Sequence, residues 1–415
     1  MEKEHIKNIY EEAGIRHPAS SNQHPGSSIQ APASSIQNAG LYIHVPFCIR
    51  KCRYCDFASC DKLSLQHDYA DALFREMSAV EEAFPLFDTL YFGGGTPTAI
   101  NSDLLVRIVE TALCRFGFAP APEVTVEANP GTVSAALFER LRGAGVNRLN
   151  IGVQSFCDKH LRFLGRIHSA RDAEQCIRLA RDAGFDNVGV DLIYGLPGQG
   201  KKTWLDDLKN ALAFFPEHIS CYMLTFEPGT PLSCDLAAGR IAAAKEETVA
   251  ALFLTTDEVL TEEGYLHYEV SNFARSARRR SRHNAKYWAL APTLGLGPSA
   301  HTYVPDPPVR WWNTAAVEDY IEAAASGQRP VAGKERLTPE QCMIEAVYLA
   351  LRTAEGIDPA AFEGRFGASF DRLFEGLAAS LQDEGMLQRR GGRWSPTLRG
   401  MQFADALAQR FVERI

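Results

Sequence analysis

YIHVPFCIRKCRYCDF, residues 42–57, sets three cysteines into eight positions directly after an apolar run with β-branched residues. The order is C-x-x-x-C-x-x-C, at Cys48, Cys52 and Cys55. Thiols this dense in a reducing compartment point to a metal or a redox centre, not to a disulfide framework. A structural zinc site wants four N or S ligands, usually as two pairs, and Cys60, five residues after Cys55, is awkwardly spaced for a fourth. A redox C-x-x-C drawn from "CRYC" leaves Cys48 without a purpose. A cubane [4Fe–4S] cluster normally takes four thiolates, so three hold three irons and leave the fourth open to a cofactor or substrate. On a loop that follows a first strand, that open iron would face the functional end of a sheet.

Such a sheet is legible on either side of the loop. β-rich runs occur at "LYIHV", "DTLYFGG", "EVTVEAN", "RLNIGV", "NVGVDLIYG" and "HISCYMLTF". Between them lie amphipathic stretches such as "HDYADALFREMSAVEEAF", "LLVRIVETALCRF" and "RDAEQCIRLARDAGF", with apolar residues at i, i+3, i+4. "RGAGVNRL" and "RDAGFDNV" place a glycine where a helix stops before a strand. Six strands alternating with helices predict parallel pairing with right-handed crossovers. A doubly wound sheet and a partial (β/α)6 barrel, TIM-like but open, both satisfy the pattern, and both put chemistry at the carboxyl ends of the strands.

The chain has 415 residues, 46% hydrophobic and 23% charged, enough for one large α/β domain and a smaller second one. The expected division is a flexible polar leader over 1–40, the barrel over 41–240, an extension over 241–334 and a winged-helix-like domain over 335–415. That last part shows helical stretches at 338–353, 369–385 and 398–415, with a hairpin turning at Gly391–Gly392. Its few arginines (Arg389, Arg390, Arg393) and the net charge of −8 argue against nucleic acid as a partner. No apolar run reaches the ~18 residues of a membrane span, and the start "MEKEHIKNIY" lacks a signal-peptide h-region. The expected location is the cytoplasm. The remaining cysteines, Cys114, Cys157, Cys176, Cys221, Cys234 and Cys342, read as small buried hydrophobes.

The motifs "LYIHVPFC", "CRYCDF", "YFGGGTPT", "VEANPGT", "RLNIGVQSF", "LGRIH", "VGVDLIYGLPGQ" and "SRHNAKYW" fall in one order from Leu41 onward. Together they resemble the radical S-adenosylmethionine (SAM) superfamily, and within it the group holding oxygen-independent coproporphyrinogen III dehydrogenases and HemW-type haem chaperones. The resemblance implies a [4Fe–4S] cluster on Cys48, Cys52 and Cys55. It implies SAM contacts at Tyr42, Gly94, Gly95, Thr96, Glu127, Gln154, Arg166 and Asp191. Its mechanism would be SAM chelating the open iron and, on one-electron reduction, splitting into methionine and a 5′-deoxyadenosyl radical.

Two functions of different class follow from the resemblance. One is porphyrinogen decarboxylation; the other is a chaperone that binds haem and hands it to haem-accepting respiratory proteins. Decarboxylating relatives carry a further cysteine two places after the third, where this chain has Phe57. That residue and "HNAKYW" resemble the chaperone branch. His283 has two readings, an axial haem ligand or a packed residue with both nitrogens satisfied. His44, His168 and His301 are further ligand candidates. Arg275, Arg278, Arg279, Arg280 and Arg282 read as a solvated basic loop or as a site for haem propionates. An electron donor such as flavodoxin or ferredoxin, a homodimer and a peripheral membrane contact complete the partners the resemblance allows.

Overall fold

The computed structural model describes residues 38–80, 84 and 86–415. The leader expected over 1–40 therefore lies, apart from its last three residues, outside the described residues. The six expected strands are present as β1 (Ala39–Val45), β2 (Phe87–Gly94), β3 (Phe118–Ala128), β4 (Arg148–Gln154), β5 (Val188–Tyr194) and β6 (His218–Met223). They pair in parallel and in chain order, β1-β2-β3-β4-β5-β6. This order separates the two architectures that periodicity left open. A doubly wound sheet reverses its order midway and takes helices on both faces. Right-handed crossovers between sequential neighbours place every helix on one face, and the other face becomes the inside of a partial barrel.

Period-two alternation assigns the two faces. Leu41 and Ile43, Leu90 and Phe92, Val124 and Val126, Leu149 and Ile151, Val190 and Leu192, and Ile219 form the buried core beneath the helices. Their alternates, Tyr42, Tyr91, Glu127, Asn150, Asp191 and Ser220, all line one cavity. The glycine stops act as expected. Gly145 (φ 101°) and Gly184 (φ 83°) follow helices Ala135–Gly143 and Ala170–Asp182. Beyond them Val146 N–H donates to Leu141 O and Phe185 N–H to Ala180 O, both closing Schellman turns.

The sheet is longer than the sequence pattern showed. β7 (Leu266–Glu269) and β8 (Asn272–Ala274) extend it antiparallel beyond β6. On the opposite edge β9 (Thr293–Leu296) pairs parallel with β1. β10 (His301–Pro305), β11 (Pro308–Asn313) and β12 (Val331–Arg336) follow antiparallel. Between β8 and β9 the chain passes from one edge to the other. Helix Arg282–Trp288 lies in this passage, across the amino ends of the barrel strands. Lys286 and Arg282 pair there with Asp88, and His283 N–H donates to Glu123 Oε1.

Residues beyond 337 build a second apolar core from Leu351, Phe370, Phe374, Leu381, Leu387 and Phe411, among others. The hairpin β13 (Leu387–Arg390) and β14 (Arg393–Pro396) turns at Gly391 and Gly392, both at positive φ, as a two-residue turn demands. The helical stretches expected at 369–385 and 398–415 are each broken once, at Phe374 and Phe403. Phe374 turns its ring into the core against Phe370 and Phe411, at centroid distances of 4.7 and 5.1 Å. Among the described residues no helix is long and apolar enough to cross a membrane.

Candidate cluster and cofactor site

The cysteine loop leaves β1 at its carboxyl end, and Cys48, Cys52 and Cys55 line a cavity of about 1480 Å³ that runs into the barrel. A single drug-sized ligand usually occupies roughly 300–1,000 Å³, so the space exceeds one such molecule. All ten cysteines are free. Among the described residues no three His, Cys, Asp or Glu side chains converge as one metal ion requires. Three separated thiols around one wall instead suit a cubane, whose ligands sit on different irons.

The sequence-predicted cofactor residues Tyr42, Gly94, Gly95, Thr96, Glu127, Gln154, Arg166 and Asp191 line the same cavity. Gly94 is at φ 106°, and a Cβ there would lie 2.5 Å from the His44 ring. A Cβ on Gly95 would meet the main chain of Phe47 at 2.7 Å. These glycines let β2 run directly beneath the cysteine loop. The N–H groups of Gly95 and Thr96 are taken up by main-chain carbonyls of the β1 end and its loop. Gly95 N–H donates to Val45 O at 2.8 Å and Thr96 N–H to Phe47 O at 2.7 Å. The Thr96 hydroxyl lies 3.5 Å from Cys48 Sγ.

Arg166 connects the loop to the strand ends. Its Nη1 donates to Cys52 Sγ at 3.5 Å, and its Nη2 to Gly152 O at 2.7 Å and to Asn129 Oδ1. Asn129 in turn donates through Nδ2 to Thr96 Oγ1 at 2.7 Å. Asn129 was missed as a site residue; its signal was its place in "VEANPGT", directly after the strand that carries Glu127. Gln154 ends β4 at φ 68° beyond a register shift in the β4–β5 pairing, an irregularity of the kind that re-aims a side chain at a strand end.

Two carboxyl groups face into the barrel without a full set of partners. Glu127 accepts from Tyr91 OH at 2.7 Å. Asp191 Oδ2 accepts from Asn150 Nδ2 at 2.6 Å, while Oδ1 is buried with no hydrogen-bond partner. Burial pushes Glu127 up to about 7, with the Asp191 charge adding to the effect. Burial likewise lifts Asp191 to about 6. A buried carboxyl with an acceptor oxygen left open is costly unless a ligand supplies a donor.

His283 sits at the far end of the cavity from the cysteines. Its Nδ1 bonds Thr89 Oγ1 at 2.8 Å and its Nε2 bonds Tyr287 OH at 3.1 Å. The ring stacks on Tyr91 at 5.0 Å and on Tyr42 at 6.2 Å. At 1% exposure, and with burial holding it down at about 3, it is a neutral, packed imidazole. Of its two readings the arrangement supplies the second.

The other histidine candidates are not among the residues that line the cavity. His44 is held by Tyr42 OH and Ala58 O, His168 by Val153 O, and His301 stacks on Trp312 at the sheet edge. The arginine run also stays outside the cavity. Arg275 packs over Phe215 and Tyr265, Arg279 pairs with Asp186, Arg280 with Glu355 and Arg282 with Asp88.

A concave parallel sheet, a three-thiol loop over its mouth and two inward carboxyls define a radical-SAM type of site. The Radical SAM superfamily model matches residues 42–211, and the HemN C-terminal domain model matches residues 337–403. The coproporphyrinogen III oxidase HemN of Escherichia coli has the same fold, with a TM-score of 0.78 over 94% of each chain at 22% identity. "Heme chaperone HemW" of Escherichia coli K12 is 36% identical over 90% of this chain and 97% of its own length. The Bacillus subtilis protein of the same name is 34% identical over 83% and 92%. Zebrafish "Radical S-adenosyl methionine domain-containing protein 1, mitochondrial" is 35% identical over 86% and 81%. The chain belongs to the HemW family of the radical SAM superfamily.

Proposed function

We propose that the protein is a haem chaperone that holds a [4Fe–4S] cluster on Cys48, Cys52 and Cys55, binds SAM beside it, and delivers haem to haem proteins of the respiratory chain. The observation that carries this reading over porphyrinogen decarboxylation is Phe57, which stands 68% exposed at the cavity where a decarboxylase would place another thiol. The names of the relatives support the same choice.

Cluster and SAM, when bound, supply reductive cleavage of a carbon–sulfur bond. The chain's own part is orientation. Gly94, Gly95 and the Thr96 hydroxyl, beside Cys48, border the space where the amino-acid end of SAM would be held. Arg166, fixed by Asn129 and Gly152, supplies positive charge beside Cys52. Asp191 Oδ1 and Glu127 can accept from hydroxyl groups or counter a cation, and Tyr42 and Gln154 border the same space. A cytoplasmic home agrees with ten unpaired cysteines. The electron donor (a flavodoxin or ferredoxin), a homodimer and membrane contact are part of this proposal and have no feature of their own among the described residues.

The test is an anaerobic titration of reconstituted protein with haem. A parallel assay offers coproporphyrinogen III, SAM and a reductant. Tight 1:1 haem binding without turnover is expected. Release of carbon dioxide with formation of protoporphyrinogen would establish the decarboxylase instead.

A further inference from the structure

Haem iron needs an axial donor that is open to the cavity, and few of the cavity's donors qualify. The three thiols belong to the cluster. Both ring nitrogens of His283 are bonded; His218 bonds Tyr268 OH through Nε2 at 2.7 Å, and its Nδ1, which has no hydrogen-bond partner, is buried with the ring at 1% exposure. A phenol binds ferric haem as its phenolate, so it must first lose a proton, and the Tyr42, Tyr91 and Tyr287 hydroxyls are already bonded to His44 Nδ1, Glu127 Oε1 and His283 Nε2. Met223 differs. It ends β6, lines the cavity and is 48% exposed. Its Cγ lies 3.8 Å from the place a Cβ on Gly195 would take, and Val249 borders the same spot. The base of the side chain is thus seated while its outer part remains open. A thioether is neutral, needs no deprotonation and is an established axial ligand of haem iron.

The surroundings suit a flat apolar molecule. Phe57 and Phe403, 68% and 50% exposed, line the same cavity as Met223, and Tyr222 next to it in β6 is 39% exposed. Phe403 is exposed because the helical stretch breaks at it, between Leu398–Gln402 and Ala404–Val412. Apolar side chains this open at a cavity mouth mark a binding surface.

Building on the haem-carrier reading, we propose that haem docks at the cavity mouth against Phe57 and Phe403, with the Met223 sulfur as an axial ligand to its iron. The bond is a coordinate one, donated by sulfur, and no group or electron is transferred in forming it.

The test is anaerobic haem titration of wild-type protein, Met223→Leu and Met223→His, read by optical absorption and near-infrared magnetic circular dichroism. Leucine keeps an apolar side chain with its Cγ against Gly195 and removes the sulfur, so cluster iron and circular dichroism should match the wild type. Wild type should show the thioether-to-ferric-haem band. Met223→Leu should lose it with affinity weakened about tenfold or more, and Met223→His should replace it with an imidazole signature. An unchanged spectrum in both variants with 1:1 binding intact overturns the Met223 assignment and leaves the haem-carrier reading standing. Failure of wild-type protein to bind haem at all overturns both.

Discussion

The Arg166 guanidinium lies 3.5 Å from Cys52 Sγ while also bonding Gly152 O and Asn129 Oδ1, so one cation links the cluster loop to the ends of β3 and β4. Hydrogen bonds and net charge near a cluster's sulfurs set its potential. Replacing Arg166 with glutamine should therefore lower the cluster's reduction potential and weaken SAM binding at least tenfold, the worth of ~1.4 kcal/mol in a charge-assisted bond. Iron content should stay full. Potentiometric titration followed by electron paramagnetic resonance, with SAM affinity by calorimetry, measures both. Potential and affinity unmoved together would remove Arg166 from the site.

The inward carboxyls predict a pH effect of definite sign in ligand-free protein. Glu127 titrates near 7 when folded and near 4.5 when unfolded, so the folded chain holds the extra proton between those values. Stability from this group is present below about 4.5 and is lost as pH rises through about 7. Asp191, lifted to about 6, acts in the same direction. Glu127→Gln should then raise the melting temperature above neutral pH and lose that advantage in acid. Thermal scans of both proteins across the range check it; a gain confined to acid would show the opposite linkage.

Gly94 predicts a steric effect. Alanine there would take a positive φ and place Cβ 2.5 Å from the His44 ring, which Tyr42 and Ala58 hold in position. Backbone strain of this type costs about 1–3 kcal/mol. Gly94→Ala should melt several degrees lower and bind SAM weakly, whereas Gly143→Ala, at a position open to solvent, should change little. Equal melting temperatures for the two variants would contradict the close approach.

His283→Gln should leave haem stoichiometry and spectrum unchanged while lowering thermal stability, because the imidazole bridges Thr89 and Tyr287 between two tyrosine rings. Loss of the haem spectrum in a variant that still melts cooperatively would return His283 to the ligand role.

The six parallel strands and the inward set were readable because period-two alternation and helix-stop glycines are local signals. The cysteine spacing was equally local. β7 to β12 were not readable: these are strands of three to six residues whose burial comes from the sheet edges they join. The helix breaks at Phe374 and Phe403 were hidden for a related reason, since a tertiary aromatic contact, and no Pro or Gly, ends the first of them. "HNAKYW" gives residue types without depth, and only the fold shows that its helix closes the amino end of the barrel and buries His283. Met223 carries no distinctive spacing; only the folded chain puts it on the cavity wall.

Iron and acid-labile sulfide should be assayed in protein purified without air, for wild type and for Cys48→Ser, Cys52→Ser, Cys55→Ser and Cys60→Ser. About four irons and four sulfides per chain are expected in wild type and in Cys60→Ser, with loss of the cubane in each of the other three. A wild-type protein that holds no cluster, or a Cys52→Ser protein that holds it equally well, would show that this loop is not a cluster site.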